Sequence, residues 1–336
     1  MLCLDVGGSS VKSGVVLSGG ELIAGPFRKE LDSAGPAGRI VASLASSLEG
    51  LLPAAAGHDV RGVGVSMPGP TDYARGVPLM RGLGKFESVY GLDLAAEVVR
   101  RAPSLAGLPW RWLNDARAFA LGELRFGAAR GAPKAMFLTL GTGCGSAFAV
   151  DGRLVTSGPG VPEGGFVYVM RHGESTLDEL LSARGVLRLW REVAAERGQG
   201  ARGRVEDPAG FRSGELGGLT VVPPGDVGGP ADVPPGDVGA APEVESARDV
   251  GLRAAAGDPA ALEAFARFGA LLADALEPVF AAFRPEVVVL GGKVSESLRF
   301  FAAAAREAGA PPLVPAAAPD AAALRGAAVH LLERTG

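Results

Sequence analysis

The residues best suited to chemistry gather around two glycine turns. Near the start, Asp5 is followed by Gly7, Gly8, Ser9, Ser10 and Lys12; near the middle, Thr142 and Gly143 lie within Leu140-Gly-Thr-Gly-Cys-Gly145. Each turn follows a short apolar run and precedes another (Val11 to Leu17, Ser146 to Val150), so each reads as strand, tight turn, strand. Glycine permits a turn at positive φ and lets main-chain N–H groups approach an anion with no Cβ in the way. One such turn is an ordinary hairpin. A pair, one in each half of the chain, predicts a clamp that holds a polyphosphate from both sides. The flanking groups fit such a clamp, since the Asp5 carboxylate can orient a hydrated magnesium ion and hydroxyl and N–H groups bind phosphate oxygens.

Neither turn has the spacing of the commoner phosphate motifs. A P-loop needs Gly, four residues, then Gly-Lys-Ser/Thr, and a dinucleotide fingerprint needs Gly-x-Gly-x-x-Gly opening a helix. Here the following residues (Val11, Gly14, Val15, Val16, Leu17) belong to a strand instead.

The elements that must carry these turns can be read from apolar patterning. Strands are expected at 2–6, 11–18 and 21–31, a helix near 37–52, a strand at 60–66 that ends in Met67-Pro-Gly-Pro70, a helix near 92–101 and a strand at Trp110–Leu113. After residue 134 the order restarts: strand, glycine turn, strand, strand, then helices. The restart predicts two similar mixed α/β domains with a ligand cleft between them. A long helix is expected from Pro259 to about Phe283, with Leu262, Phe265, Leu272, Leu276 and Val279 on its apolar side. Pro285–Leu290 then reads as a buried strand delivering Gly291 and Gly292. Residues 198–245 break the pattern. They are rich in Gly, Pro, Asp and Arg and hold a tandem repeat, Val222-Pro-Pro-Gly-Asp-Val-Gly recurring from Val233, which reads as a mobile surface insertion.

Composition narrows the function. With 336 residues, 47% of them apolar, the chain can build two cores. Its 33 basic and 37 acidic side chains give a net charge of -4, which argues against a nucleic-acid surface. No apolar run is long enough to span a membrane and Asp5 interrupts any secretory core, so a cytoplasmic protein is expected. Cys3 and Cys144 are too few for a disulfide framework or a thiolate zinc site.

Five segments in order, Asp5–Lys12, Met67-Pro-Gly69, Leu113-Asn-Asp115 with Gly122-Glu123, Leu140–Gly143 and Val289-Leu-Gly-Gly292, resemble the ROK family of sugar kinases (repressor, open reading frame, kinase). The resemblance covers most of the chain except 198–245. It implies two ribonuclease-H-like, actin-like ATPase domains flanking a cleft, one from 1–115 plus 320–336 and the other from 116–319. It implies ATP and Mg2+ as co-substrate and cofactor, a small-molecule sugar as partner, and leaves a homodimer open. Asp115 would be the general base toward a hexose hydroxyl, with Asn114, Glu163, Asp178 and Gly69 at the sugar. Gly291 and Gly292 would line the adenine. Asp115 also reads as a helix N-cap, and Ser175 with Asp178 as a capping box. The family's repressors carry an N-terminal DNA-binding extension; this chain starts at the first strand, so no DNA-reading element is expected.

The departures from the family are specific. Phe166, in Pro162-Glu-Gly-Gly-Phe166, stands where many members have a histidine that touches sugar and binds zinc, and the cysteine cluster is missing, so no structural zinc is expected. The sugar loop is rewritten as Arg81–Ser88. Two other classes remain to be separated: a non-catalytic sugar or nucleotide sensor on the same fold, and a histidine phosphatase suggested by Arg171-His172-Gly173-Glu174. The phosphatase needs a second histidine and another arginine; only His58 and His330 remain, neither in a comparable setting. An exposed turn between a strand at 166–170 and the next helix is the plainer reading.

Overall fold

The computed structural model describes residues 1–202 and 244–333, with side chains from 199 to 202 excepted. The tandem repeat at Val222 and Val233 lies outside the described residues. Two five-stranded mixed sheets carry the architecture. The first contains β1 (Leu2–Val6), β2 (Ser10–Val16), β3 (Leu22–Glu30), β4 (Val63–Met67) and β5 (Trp110–Asn114), in the order β3-β2-β1-β4-β5. The second contains β6 (Lys134–Leu140), β7 (Cys144–Val150), β8 (Arg153–Val155), β9 (Val287–Gly291) and β10 (Leu313–Pro315), in the order β8-β7-β6-β9-β10. In both, the first three strands pair antiparallel through hairpins and the last two pair parallel. The restart seen in the sequence is therefore a repeat of topology.

Alternation of side chains explains why both sheets are covered on both faces. Leu2, Leu4 and Val6 pack with Ile40, Leu44 and Leu48 of α1 (Ala37–Glu49), whereas Met1 and Cys3 pack on the opposite face with Leu324, Ala328 and Leu331. In β6, Met136, Leu138 and Leu140 join one core while Ala135 and Phe137 join another around Phe119. The register then brings candidate site positions together. Asp5 is opposite Ser66 across β1 and β4, and Met67 is opposite Asn114 across β4 and β5, all at the carboxyl ends of parallel neighbours.

Three expectations need correction. The segment 259–283 is two helices, α3 (Pro259–Ala275) and α4 (Glu277–Phe283), because Pro278 has no N–H to continue the first; Leu262 is exposed rather than on its apolar side. Residues 166–170 are not a strand: the Val167 N–H goes to Ser146 Oγ (2.9 Å) instead of a neighbouring strand, and Tyr168 and Val169 are exposed. Two-residue strands follow instead, Arg171–His172 and Ser175–Thr176. Finally, the glycines of the two turns do not need positive φ, since none from Gly7 to Gly8 or Gly141 to Gly145 adopts it.

Helix α2 (Asp115–Phe126) crosses α5 (Ala322–Glu333) at backbone contact. A Cβ on Gly326 would overlap the Ala118 carbonyl oxygen, and one on Gly122 that of Ala322. Gly326→Ala should destabilise the protein by about 2 kcal/mol, overpacking outweighing the gain in helix propensity. Gly38→Ala in α1, where a Cβ would meet the end of the Arg101 side chain at 3.3 Å, should be neutral or stabilising by up to about 1 kcal/mol. Denaturant melts of both variants check this; equal loss in the two would remove the packing explanation.

Candidate active site

Each glycine turn presents two consecutive N–H groups that have no acceptor among the described residues. In the first, Gly7 N–H closes the turn on Ser10 O (2.9 Å), leaving the N–H groups of Gly8 and Ser9 free. In the second, Gly141 N–H binds Gly143 O (2.9 Å) and Cys144 N–H binds Asp178 Oδ1 (2.9 Å), leaving those of Thr142 and Gly143. Gly8, Ser9 and Thr142 are exposed, so hydroxyl and N–H donors face solvent together. Paired free N–H groups of this kind bind anions. Gly292 lies beside the second turn, at φ 82°, where a Cβ would strike the Leu140 carbonyl, while Gly291 leaves room for the Phe119 ring.

Lys12 faces Asp5 across the β1–β2 ladder and its Nζ pairs with Asp320 at 2.9 Å. Asp5 Oδ1 accepts the Ser66 hydroxyl at 2.9 Å. Burial pushes the Asp5 carboxyl above its usual range; the Lys12 charge and the Ser66 bond pull it back, and the charges of Asp115 and Asp320 add to the rise. The same Lys12 holds Asp320 below the usual carboxylate range.

Asp115 is the first residue of α2, and the cap is Asn114, whose Oδ1 accepts from Arg117 N–H at 3.2 Å. The N-cap reading of Asp115 is thus off by one residue. Its Oδ1 accepts from Asn114 Nδ2 and from Ala116 N–H, both at 2.9 Å; Oδ2 has no partner among the described residues. Burial pushes this carboxyl up as well, against the Ala116 N–H, the charge of Lys85 and the Asn114 amide. Asn114 Nδ2 also reaches Tyr73 Oη (3.3 Å), which donates to Met67 O (3.2 Å). A Cβ on Gly69 would sit 2.9 Å from that phenol oxygen, so Gly69 makes room for Tyr73. Burial lifts the Tyr73 hydroxyl to about 12, so it stays a neutral donor.

Glu163 is exposed and its carboxylate has no partner among the described residues. Its turn is tied to α2 by Arg117, which donates to Gly164 O at 2.8 Å. Asp178 has partners of its own. It receives Cys144 N–H and pairs with Arg184 (2.7 Å), so it supports the second glycine turn. The expected capping box is shifted too: Thr176 and Glu179 form it, because the helix starts at Leu177. Arg171 donates to Glu174 O across a hairpin turning at Gly173, and His172 lies 3.2 Å from Asp274 of α3. The phosphatase-like signature is a surface hairpin with its own partners. Cys3 and Cys144 are buried, their thiols pushed up to about 12 by burial.

Ser66, Tyr73, Lys85, Arg117 and Asp320 were not singled out from sequence. Ser66 had a signal, being the polar residue of an otherwise apolar strand; the others are brought in by contacts distant along the chain.

Two copies of one five-stranded sheet topology, each with a glycine turn between its first two strands, define the actin-like ATPase fold. A ROK-family glucokinase from Streptomyces griseus, solved with glucose and AMPPNP, overlays with TM-score 0.68 at 22% identity, covering 100% of both chains. The ROK hexokinase from Thermus thermophilus gives 0.66 at 24%, covering 100% of this chain and 99% of that one. The chain belongs to the ROK family, whose sequence profile matches residues 1–334. It is also similar to the glucokinase of Thermotoga maritima, 30% identical over 200 residues, a match that spans 57% of this chain and 60% of that protein. Among the described residues no helix is long and apolar enough to cross a membrane.

Asp178 in its observed place leads to a test. If it supports the Thr142-Gly143 turn, Asp178→Ala should raise the Kd of an ATP analogue about tenfold, because one charge-assisted bond to the turn is lost. Weakened sugar binding with unchanged nucleotide binding, by calorimetry, would restore it as a sugar ligand.

Proposed function

We propose that this protein is an ATP-dependent sugar kinase that transfers the γ-phosphoryl group of ATP to a hexose hydroxyl, with Asp115 as general base. The observation that supports it most is the free Asp115 Oδ2, on a carboxyl whose other oxygen is fixed by two donors. A base must have its lone pair free and its direction set. Membership of the ROK family and the likeness to a named glucokinase support the same reading.

Phosphoryl transfer asks mainly for positioning and charge neutralisation. The N–H pairs at Gly8-Ser9 and Thr142-Gly143, with Ser10 and Lys12 alongside, would hold the phosphates, and Gly291 and Gly292 would let adenine approach without a side chain in the way. Asp5 fits a magnesium ion held through water: Ser66 occupies one oxygen, and the other has no partner among the described residues. The ion would supply neutralisation of phosphate charge. Asn114 and Glu163 would bind sugar hydroxyls, with Gly69 giving Tyr73 its place beside them. Asp115 takes the proton of the attacking hydroxyl as the new O–P bond forms and the bond from the γ-phosphorus to the bridging oxygen breaks, ADP leaving with that oxygen. The partly buried, raised carboxyl makes a stronger base than a fully exposed one.

The reading extends to two domains, 1–115 plus 320–336 and 116–319, that close on the sugar. The second domain includes the segment expected as an insertion. A sugar touching both walls favours the closed state in proportion to its differential affinity, and closure keeps water from the phosphates.

A coupled assay for ADP release over a hexose panel tests the activity; binding of sugar without turnover would instead indicate a sensor. Asp115→Asn should leave sugar and ATP binding within a few-fold and lower kcat by about 100-fold or more. Because the reaction needs the ionised carboxylate, kcat should fall with falling pH at values above the ordinary aspartate pKa of about 3.9. The stability sign is opposite. The folded state binds the Asp115 proton more tightly than the unfolded chain, so this group lowers stability as pH rises through its raised pKa. Asp115→Asn should therefore keep or raise Tm at neutral pH; a large loss of Tm would make Asp115 a structural residue.

Closure is tested separately by small-angle scattering. The best substrate should reduce the radius of gyration, and an unchanged profile would mean a pre-formed site.

A further inference from the structure

The turn that carries Glu163 is closed by its own hydrogen bonds, Gly165 N–H to Pro162 O (2.7 Å) and Phe166 N–H to Glu163 O (3.3 Å), but these do not tie it to its neighbours. Gly164 and Gly165 both adopt positive φ, 67° and 78°, and Glu163 points out without a side-chain partner among the described residues. Two outside groups hold it. On the side of the second sheet, the buried Ser146 hydroxyl donates to Gly165 O at 2.6 Å and accepts Val167 N–H at 2.9 Å. On the side of the base, Arg117 crosses from the first turn of α2 to donate to Gly164 O, and its guanidinium lies 5.4 Å from the Phe166 ring centre. Phe166 in turn packs against Tyr168, ring centres 5.7 Å apart. Arg117 N–H is also the donor captured by the Asn114 cap. A single residue is thus fixed by its backbone to the Asn114-Asp115 corner and by its side chain to the Glu163 turn.

We propose that Arg117 is a positioning residue that sets the Glu163 turn at a fixed separation from Asp115, so that a sugar held by Glu163 presents its hydroxyl to the base. The inference rests on the kinase reading and on Glu163 as a sugar ligand. Arg117 need not touch the substrate. Its fork spans two constraints that lysine cannot reproduce together: a directed N–H···O bond and a flat cation against an aromatic ring.

Two measurements test it. Hydrogen exchange needs no substrate: Arg117→Met should speed exchange of amides in 163–166 by about tenfold or more, the loss expected for a charged hydrogen bond, while peptides covering Ser9–Lys12 keep the wild-type rate. Unchanged exchange in 163–166 would overturn the proposal. With the best hexose of the panel, Arg117→Met should raise the sugar KM by about tenfold or more with the ATP KM within about twofold, and Arg117→Lys should recover little. In a Glu163→Gln background the same Arg117→Met change should add no more than about twofold to the sugar KM, because it acts through the residue already lost. Full additivity would show that Arg117 acts by another route. The two readings fail differently: a Glu163→Gln enzyme with normal sugar KM removes Glu163 from the site, whereas a raised KM there with a normal one in Arg117→Met removes the positioning role alone.

Discussion

Backbone contact between α2 and α5 is the constraint on which the site depends. Helix α2 starts at Asp115, directly off the end of β5, and passes Gly122 against α5 with no side chain between them. Midway, the buried Glu123 carboxylate accepts the N–H groups of Ala128, Ala317 and Ala318 at 2.7, 3.1 and 3.4 Å, closing the turn after α2 and the approach to α5 together. Phe119 from the same helix packs against the backbone of Gly291 in the second sheet. One helix therefore references its first residue to both sheets. The helix thus places the backbone of Asp115, and the Asn114 amide and Ala116 N–H then set the direction of one carboxylate oxygen.

The two glycine turns do similar work with different supports. The first relies on charge: Asp5 and Lys12 face one another across the hairpin, and Lys12 is drawn toward Asp320 at the approach to α5. The second relies on a carboxylate from below, Asp178, which takes the Cys144 N–H and leaves the Thr142 and Gly143 N–H groups open to a ligand. In each case the glycine serves space rather than unusual φ. A Cβ on Gly143 would press on Asp178, and a Cβ on Gly7 would come within 3.2 Å of Ser10 O. Supports that differ while the free N–H pairs match indicate that the donors, and not the scaffolding, are the shared requirement.

Most of the sheet architecture was legible because apolar residues alternate in the strands and the strand-turn-strand order restarts. Legibility failed where a boundary or a distant partner decides the outcome. The capping box moved from Ser175 to Thr176 because helix starts are defined by one residue's φ and ψ, which composition does not reveal. Pro278 did carry a visible signal for breaking the long helix, one that apolar spacing across it masked. Tyr73, Arg117 and Asp320 could not be chosen in advance, since each acts on residues from a different part of the chain: Asn114, Gly164 and Lys12. Glycines were the most transferable clue to the site, yet Gly69 and Gly291 matter for the rings they admit, Tyr73 and Phe119, which only packing discloses.

Asp5 and Asp115 show how one sheet can give two carboxylates the different surroundings that their proposed roles require. They leave neighbouring parts of the same sheet edge, with β4 between them, and burial raises both. Their remaining surroundings differ in kind. Ser66, on the intervening strand, gives its hydroxyl to Asp5, and Lys12 adds a positive charge on that side; both favour the ionised form, which suits a group that meets a cation. Asp115 receives neutral amide donors on one oxygen only, with Lys85 as its nearby charge. Its second oxygen has no partner among the described residues, as the proposed role of base requires. The proposed division of labour thus rests first on the Lys12 charge beside Asp5 and then on the Ser66 hydroxyl, neither of which serves Asp115.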